Sequence, residues 1–262
     1  MKIHKGIQPR PRRILLYSKH GLGKSTWASK APRPIFLNLE DGLGDIDCES
    51  TEKICSYDEL LASLLWLDQN EHPFRTVVID TLDWAEKLIH QRVCDAAQVK
   101  AITDIDFGKG YGRALPLWQT LVGMLNQLRA SKNMAVILLA HATAVKIREP
   151  GQDQFDRWSP DLHKEACQLF LEWSDEVLFG NVRTFVRSED QGFGKSRAIA
   201  MGGEERYLQT TCTAAAEAKN RLSLPLEIPF TWAAYAEHLT QRIEASGNVS
   251  GLVVDGSSKK GK

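Results

Sequence analysis

The sequence predicts an α/β fold in which a mostly parallel central sheet is flanked by helices, with a β-hairpin added toward the C-terminus. Three observations carry this reading. Four short, continuously apolar runs lie in the first half of the chain: Ile14 to Tyr17, Pro34 to Leu39, Thr76 to Ile79 and Met134 to Leu139. Runs of that kind are what strands buried on both faces of a parallel sheet look like. Between them, Tyr57 to Gln69 and Leu115 to Ala130 repeat apolar residues at three- and four-residue spacing, as helices packed on such a sheet do. The first run also leads directly into a glycine-rich turn, Ser18-Lys19-His20-Gly21-Leu22-Gly23-Lys24-Ser25-Thr26.

That turn has the composition of a phosphate-binding loop. A buried strand feeds it, its backbone N–H groups can point inward at an anion, and a helix starting there adds its positive end. Lys24 is placed to reach β- and γ-phosphates, and the Ser25 hydroxyl to ligate Mg²⁺. The usual pattern begins with glycine, where this chain has Ser18. Serine closes the same turn only if its φ angle stays in an allowed region.

The second run ends Asn38-Leu39-Glu40-Asp41-Gly42. In a parallel sheet that end lies on the same edge as the phosphate loop. A carboxylate there can orient water for in-line attack on a γ-phosphate, and Glu40 is the first candidate with Asp41 in reserve. These acids equally suit the start of a polar loop. The third run ends in Asp80, the carboxylate expected beside Mg²⁺. The fourth ends in His141, either a γ-phosphate sensor or a hydrogen-bonded structural histidine.

Farther on, Asp161 to Trp173 reads as a helix, and Glu176 to Phe179, Val182 to Arg187 and Arg197 to Met201 as strands. Gly192-Phe193-Gly194-Lys195-Ser196 imitates a second phosphate loop. The residues after it run into Gly202-Gly203 and cannot open a helix, so the segment reads as a hairpin turn. Residues 12–245 are expected to form one domain, after a basic segment 1–11 and before a disordered, Gly-, Ser- and Lys-rich tail 246–262.

Lys plus Arg and Asp plus Glu both total 33, so net charge is zero and any nucleic-acid contact must come from local patches. The five cysteines form no C-x-x-C pair and no zinc spacing, which suits free thiols in a reducing compartment. No apolar stretch approaches a membrane span, and the N-terminus lacks a signal-peptide core. A cytoplasmic protein with no membrane partner is expected.

The order of these parts resembles the RecA-like branch of the P-loop ATPases, and more closely the small phage-encoded RecA-like proteins of single-strand annealing and recombination. The pieces that carry the resemblance are the phosphate loop, Asn38 to Gly42, Val77 to Asp80, and His141 with its charged downstream loop. Trp173-Ser174-Asp175-Glu176-Val177-Leu178-Phe179 and Ala218-Lys219-Asn220-Arg221 add to them. It spans about residues 12 to 240.

The resemblance implies a ring or filament that hydrolyses ATP with Mg²⁺ and binds single-stranded DNA, with a single-strand-binding protein as a further partner. A phage-encoded protein of this kind would work in the bacterial host's cytoplasm. It also implies DNA contact through two loops, for which residues 98–114 and 142–164 are the candidates. The first holds Lys109, Tyr111 and Arg113; the second holds Lys146, Arg148, Arg157 and Trp158. Cations neutralise backbone phosphates and aromatics stack on bases. Both segments also contain acids that would suit ordinary solvated loops. Lys219 and Arg221 are candidates to reach a neighbouring subunit's γ-phosphate, or to cap a helix C-terminus. A nucleotide-gated loader or scaffold with little DNA-stimulated turnover is the alternative. A small-molecule kinase is disfavoured because neither an acceptor site nor a lid is legible.

Overall fold

The computed structural model describes residues 3, 10–148, 151, 153–190 and 196–245. The tail 246–262, most of segment 1–11 and the turn residues 192–195 lie outside them.

The four apolar runs are strands: β1 (Arg13–Ser18), β2 (Pro34–Asn38), β4 (Thr76–Asp80) and β5 (Ala135–Ile147), with a short β3 (Glu49–Ser50) at one edge. With β6 (Phe155–Pro160), β7 (Glu176–Asp190), β8 (Ser196–Gln209) and β9 (Glu227–Pro229) they form a nine-stranded sheet. Its order is β3-β2-β4-β5-β1-β7-β8-β9, with β6 paired to β5 off that path. From β3 to β7 every neighbouring pair is parallel. Strands β8 and β9 continue the sheet antiparallel, so the expected C-terminal hairpin is formed by β7 and β8.

Because successive residues of a strand face opposite sides, each apolar run supplies two cores. Leu15, Tyr17, Leu37, Val77, Ile79, Val136 and Leu138 pack under α2 (Tyr57–Gln69), α3 (Leu82–Ala97), α4 (Lys109–Ser131) and α5 (Lys164–Trp173). Ile14, Leu16, Phe36, Val78, Ile137 and Leu139 face Trp27 of α1 (Lys24–Ala28) and Tyr235 of α6 (Trp232–Ala245). Helix α2 opens on Ser56, whose side chain accepts from the Glu59 N–H, the usual way an orphan first-turn amide is satisfied.

Two expectations are corrected. Residues 98–114 are not a flexible loop: they form two 3-10 turns, Ile102–Asp104 and Asp106–Gly108, and the first turns of α4, which starts at Lys109. Gly110 is fixed against the Ile102 carbonyl, where an added Cβ would lie 2.5 Å from that oxygen. Residues 142–164 are not an open loop either. Strand β5 runs on to Ile147 and pairs antiparallel with β6 from Ala142↔Pro160 to Ile147↔Phe155. The alternation Ala142-Thr143-Ala144-Val145 favours a continuing strand, and the charged residues within it hid that.

Candidate functional site

Parallel pairing puts the C-terminal ends of four strands on one edge. Ser18 pairs with His141, and Asn38 with Asp80, which in turn pairs with Leu139. Strand β5 thus lies between the strand that feeds the phosphate loop and the strand that ends in Asp80.

In the loop itself, positive φ falls on Gly21 (72°) and Gly23 (101°), in the left-handed region that favours glycine. Ser18 needs no such angle, being the last residue of β1. Helix α1 is only five residues long, stopped ahead of Pro32 and Pro34, so the sequence-based expectation of a helix dipole contributes less than the loop's own N–H groups. The first amides of α1 have no carbonyl within the helix to bond. The Arg206 guanidinium of β8 donates to the Leu22 carbonyl at 3.0 Å and steadies the loop from outside. Lys19 and His20 are exposed, as is Thr26.

Lys24 is buried beside acids: burial lowers its pKa, and Asp80, Glu40 and Asp83 act against that. The Ser25 Oγ donates to Asp80 Oδ2 at 2.6 Å. Burial raises Asp80; the Ser25 hydrogen bond opposes this, Glu40 adds to the rise, and Lys24 and His141 oppose it. A half-buried hydroxyl in contact with a buried carboxylate, next to a buried ammonium, is the donor set that Mg²⁺ and a phosphate chain require. The residues present therefore fit both.

Glu40 follows β2, its backbone N–H donating to the Asp80 carbonyl at 3.2 Å. Its Oε1 lies 3.7 Å from Nε2 of His141. Asp41 turns outward with φ 68° and pairs with Lys53 at 3.6 Å. His141 is buried, and Asp83 on the first turn of α3 accepts from both its backbone N–H, at 3.0 Å, and its Nδ1, at 2.9 Å. Burial alone would raise Asp83, but these bonds from His141 hold its pKa below the usual carboxylate range. Sequence reasoning missed Asp83. Its signal was the spacing Asp80-x-x-Asp83, one helical turn past the strand end.

The other candidates are dispersed. Lys109 and Arg113 are exposed one turn apart on α4, while Tyr111 stacks on His163 with ring centroids 4.0 Å apart. Lys146 and Arg148 are exposed on the hairpin. Arg157 pairs with Glu217 at 3.1 Å. Trp158 is half-buried against Phe179, and Lys19 of the phosphate loop lies 4.7 Å over its ring.

Lys219 and Arg221 sit at the opposite end of the sheet from the phosphate loop. The Lys219 backbone pairs with Val177, and its Nζ donates to the carbonyls of Leu171 and Glu172 at the end of α5. Arg221 donates to Asp175 at 3.0 Å, a carboxylate that also takes Arg13. Within one protomer neither cation reaches the phosphate loop.

Residues 10–222 match the family model described as "AAA domain". The chain is also similar to the "SPbeta prophage-derived uncharacterized protein YorG" of Bacillus subtilis (strain 168), at 23% identity over 203 residues. That alignment covers 75% of this chain and 58% of the relative, so the chain spans less than two thirds of the length of the curated relative it matches.

Proposed function

The chain belongs to the AAA-domain family of P-loop ATPases, and on that premise we propose that it hydrolyses ATP at the β1–α1 loop, binds single-stranded DNA and assists annealing or recombination. The observation that carries the nucleotide part is the convergence of Lys24, Ser25, Asp80, Glu40 and His141 on one sheet edge, with Ser25 and Asp80 in contact at 2.6 Å. In this reading Lys24 and the loop amides neutralise the phosphate chain. Ser25 and Asp80 would hold Mg²⁺, which would supply positive charge to the phosphate oxygens. Glu40 polarises the attacking water, and Asp83 keeps His141 turned toward it.

The DNA part is supported by exposed Lys146 and Arg148 on the hairpin and by exposed Lys109 and Arg113 on α4. Support for linkage to the nucleotide comes from the phosphate loop itself. His20 stacks on His141 at the hairpin's base with centroids 3.6 Å apart, and Lys19 covers Trp158. The hairpin base is closed by the Asp161 N–H donating to the His141 carbonyl. A bound γ-phosphate that moved His20 or His141 would therefore move the hairpin. Action of Lys219 and Arg221 on a neighbouring subunit's nucleotide, in a ring or filament, belongs to the same reading, as does origin in a phage like that of the prophage relative. Cooperation with a single-strand-binding protein does too.

ATP turnover and strand binding, each with and without the other ligand and at two salt concentrations, test the proposal. Turnover should rise with single-stranded DNA, and binding should weaken with salt because neutralised phosphates release counterions. Replacing Lys146 and Arg148 with Ala should flatten the salt slope by roughly 2. ATP turnover that ignores DNA, together with no strand binding, would favour the loader or scaffold.

A further inference from the structure

His141 presents an arrangement that its role beside a γ-phosphate does not use up. Its Nδ1 is committed to Asp83 at 2.9 Å, so its Nε2 is the atom left facing Glu40. That separation is 3.7 Å, beyond a hydrogen bond, and Nε2 has no hydrogen-bond partner among the described residues. The side chain is only 6% exposed. A lone pair on a buried ring and a half-buried carboxylate oxygen that face each other call for a positive charge between them. The imidazole of His20 lies against the same spot: ligand atoms of His20, Glu40 and His141 all fall within 4.8 Å of one another.

We propose that His20, Glu40 and His141 form a binding site for a divalent transition cation of the zinc type, separate from the Mg²⁺ position at Ser25 and Asp80. Four features select that class. Two imidazoles and a carboxylate suit zinc, cobalt or nickel rather than Mg²⁺, which prefers oxygen. Bonds of about 2.0–2.2 Å from one ion to Nε2 and Oε1 span a gap of this size. A carboxylate behind the distal ring nitrogen, here Asp83, is the usual partner of a metal-bound histidine, fixing its tautomer and raising its basicity. Three protein ligands leave a coordination position open. His20 must turn from its stacked position, 22° from the His141 plane, to aim a ring nitrogen at the ion. It is exposed and makes no hydrogen bond among the described residues, so the turn gives up the stack on His141 and no hydrogen bond.

The ion would occupy the place where Glu40 meets the attacking water, so binding before nucleotide should slow ATP turnover. That consequence rests on the proposed function. The site itself does not, and the experiment separates them by measuring metal binding to the nucleotide-free full chain.

Titration with Co²⁺ in excess Mg²⁺ should give visible ligand-field bands that saturate at one ion per chain and vanish when Zn²⁺ is added. His20→Ala, an exposed change whose melting should match the wild type, should weaken Co²⁺ binding at least about tenfold. Asp83→Asn should weaken it by about 10–100-fold, and Asp80→Asn should leave it unchanged. The proposal is overturned if the wild type shows no such bands, or if His20→Ala titrates like the wild type. It is equally overturned if Asp80→Asn abolishes binding, which would assign the ion to the Mg²⁺ position, or if thiolate charge-transfer absorption appears, which would assign it to cysteine. Metal binding with these properties but unchanged ATP turnover would keep the site and contradict the placement of the attacking water.

Discussion

Ser18 and Gly180 face each other across β1 and β7, and the side chain that opens the phosphate loop occupies room that Gly180 leaves. The two are register partners. A Cβ built on Gly180 would lie 3.1 Å from the Ser18 Cβ, 3.0 Å from Leu22 Cδ2 and 2.3 Å from Phe230 Cε2. The glycine absent from the first loop position is in effect matched by one on the neighbouring strand.

Gly180→Ala should therefore overpack the loop from beneath, costing about 1–3 kcal/mol of stability and weakening ATP binding through Leu22. Denaturant midpoints and nucleotide titrations check this. Gly180→Ala combined with Ser18→Gly should recover part of both losses, because the 3.1 Å contact with the Ser18 Cβ is removed while those with Phe230 and Leu22 stay.

Glu86 on α3 accepts the His163 N–H at 2.9 and 3.1 Å. Burial pushes its carboxyl up to about 7; the His163 bond opposes the rise, and Asp161 and Asp83 add to it. An unfolded Glu titrates near about 4.3. The folded chain thus holds a proton that the unfolded chain releases, and Glu86 makes stability fall as pH rises from about 4.3 through about 7. Glu86→Gln still offers an acceptor and cannot ionise. Relative to wild type it should gain about 1–3 kcal/mol at pH 8 and little at pH 4.5. Equal differences at both pH values, measured by urea unfolding, would contradict the buried-carboxyl account.

Much of this fold is legible because buried parallel strands need uninterrupted apolar residues, and Ile14 to Tyr17 and Val77 to Ile79 have them. Spacing alone marks Tyr57 to Gln69. The phosphate loop is legible because glycine is the residue that takes positive φ most readily, as positions 21 and 23 do. The hairpin after His141 is less so: its strands carry Lys146, Arg157 and Asp156 on a half-exposed ribbon, where charges read as loop. The start of α4 is masked by Gly108, Gly110 and Gly112, which suggest flexibility although Gly110 is fixed by close packing on Ile102. Asp83 and Arg206 could not be assigned from sequence, since their roles depend on which strands become neighbours.

Arg221 is half-exposed, its side chain 53% accessible, and Asp175 keeps Arg13 at 2.7 Å and Arg129 at 3.7 Å without it. Arg221→Ala should therefore cost less than about 1 kcal/mol of stability. If Arg221 acts across an interface, the variant should bind ATP and hydrolyse it about 10³-fold or more slowly. Mixing it with Lys24→Ala subunits should restore some turnover, because intact halves of the site then meet. Mixed assemblies that form yet stay as inactive as either variant would show that the Asp175 pair is Arg221's whole role.

The most direct test of the account is ATP binding and single-turnover hydrolysis measured side by side on wild type, Lys24→Ala and Glu40→Gln. The lysine lies buried at the loop beside Asp80, whereas Glu40 follows β2 and faces His141, so the two losses should separate. Lys24→Ala should fail to bind Mg-ATP. Glu40→Gln should bind it as tightly as wild type and hydrolyse it at least about 10²-fold more slowly. Wild-type ATP affinity in Lys24→Ala, or wild-type turnover in Glu40→Gln, would contradict the site described here.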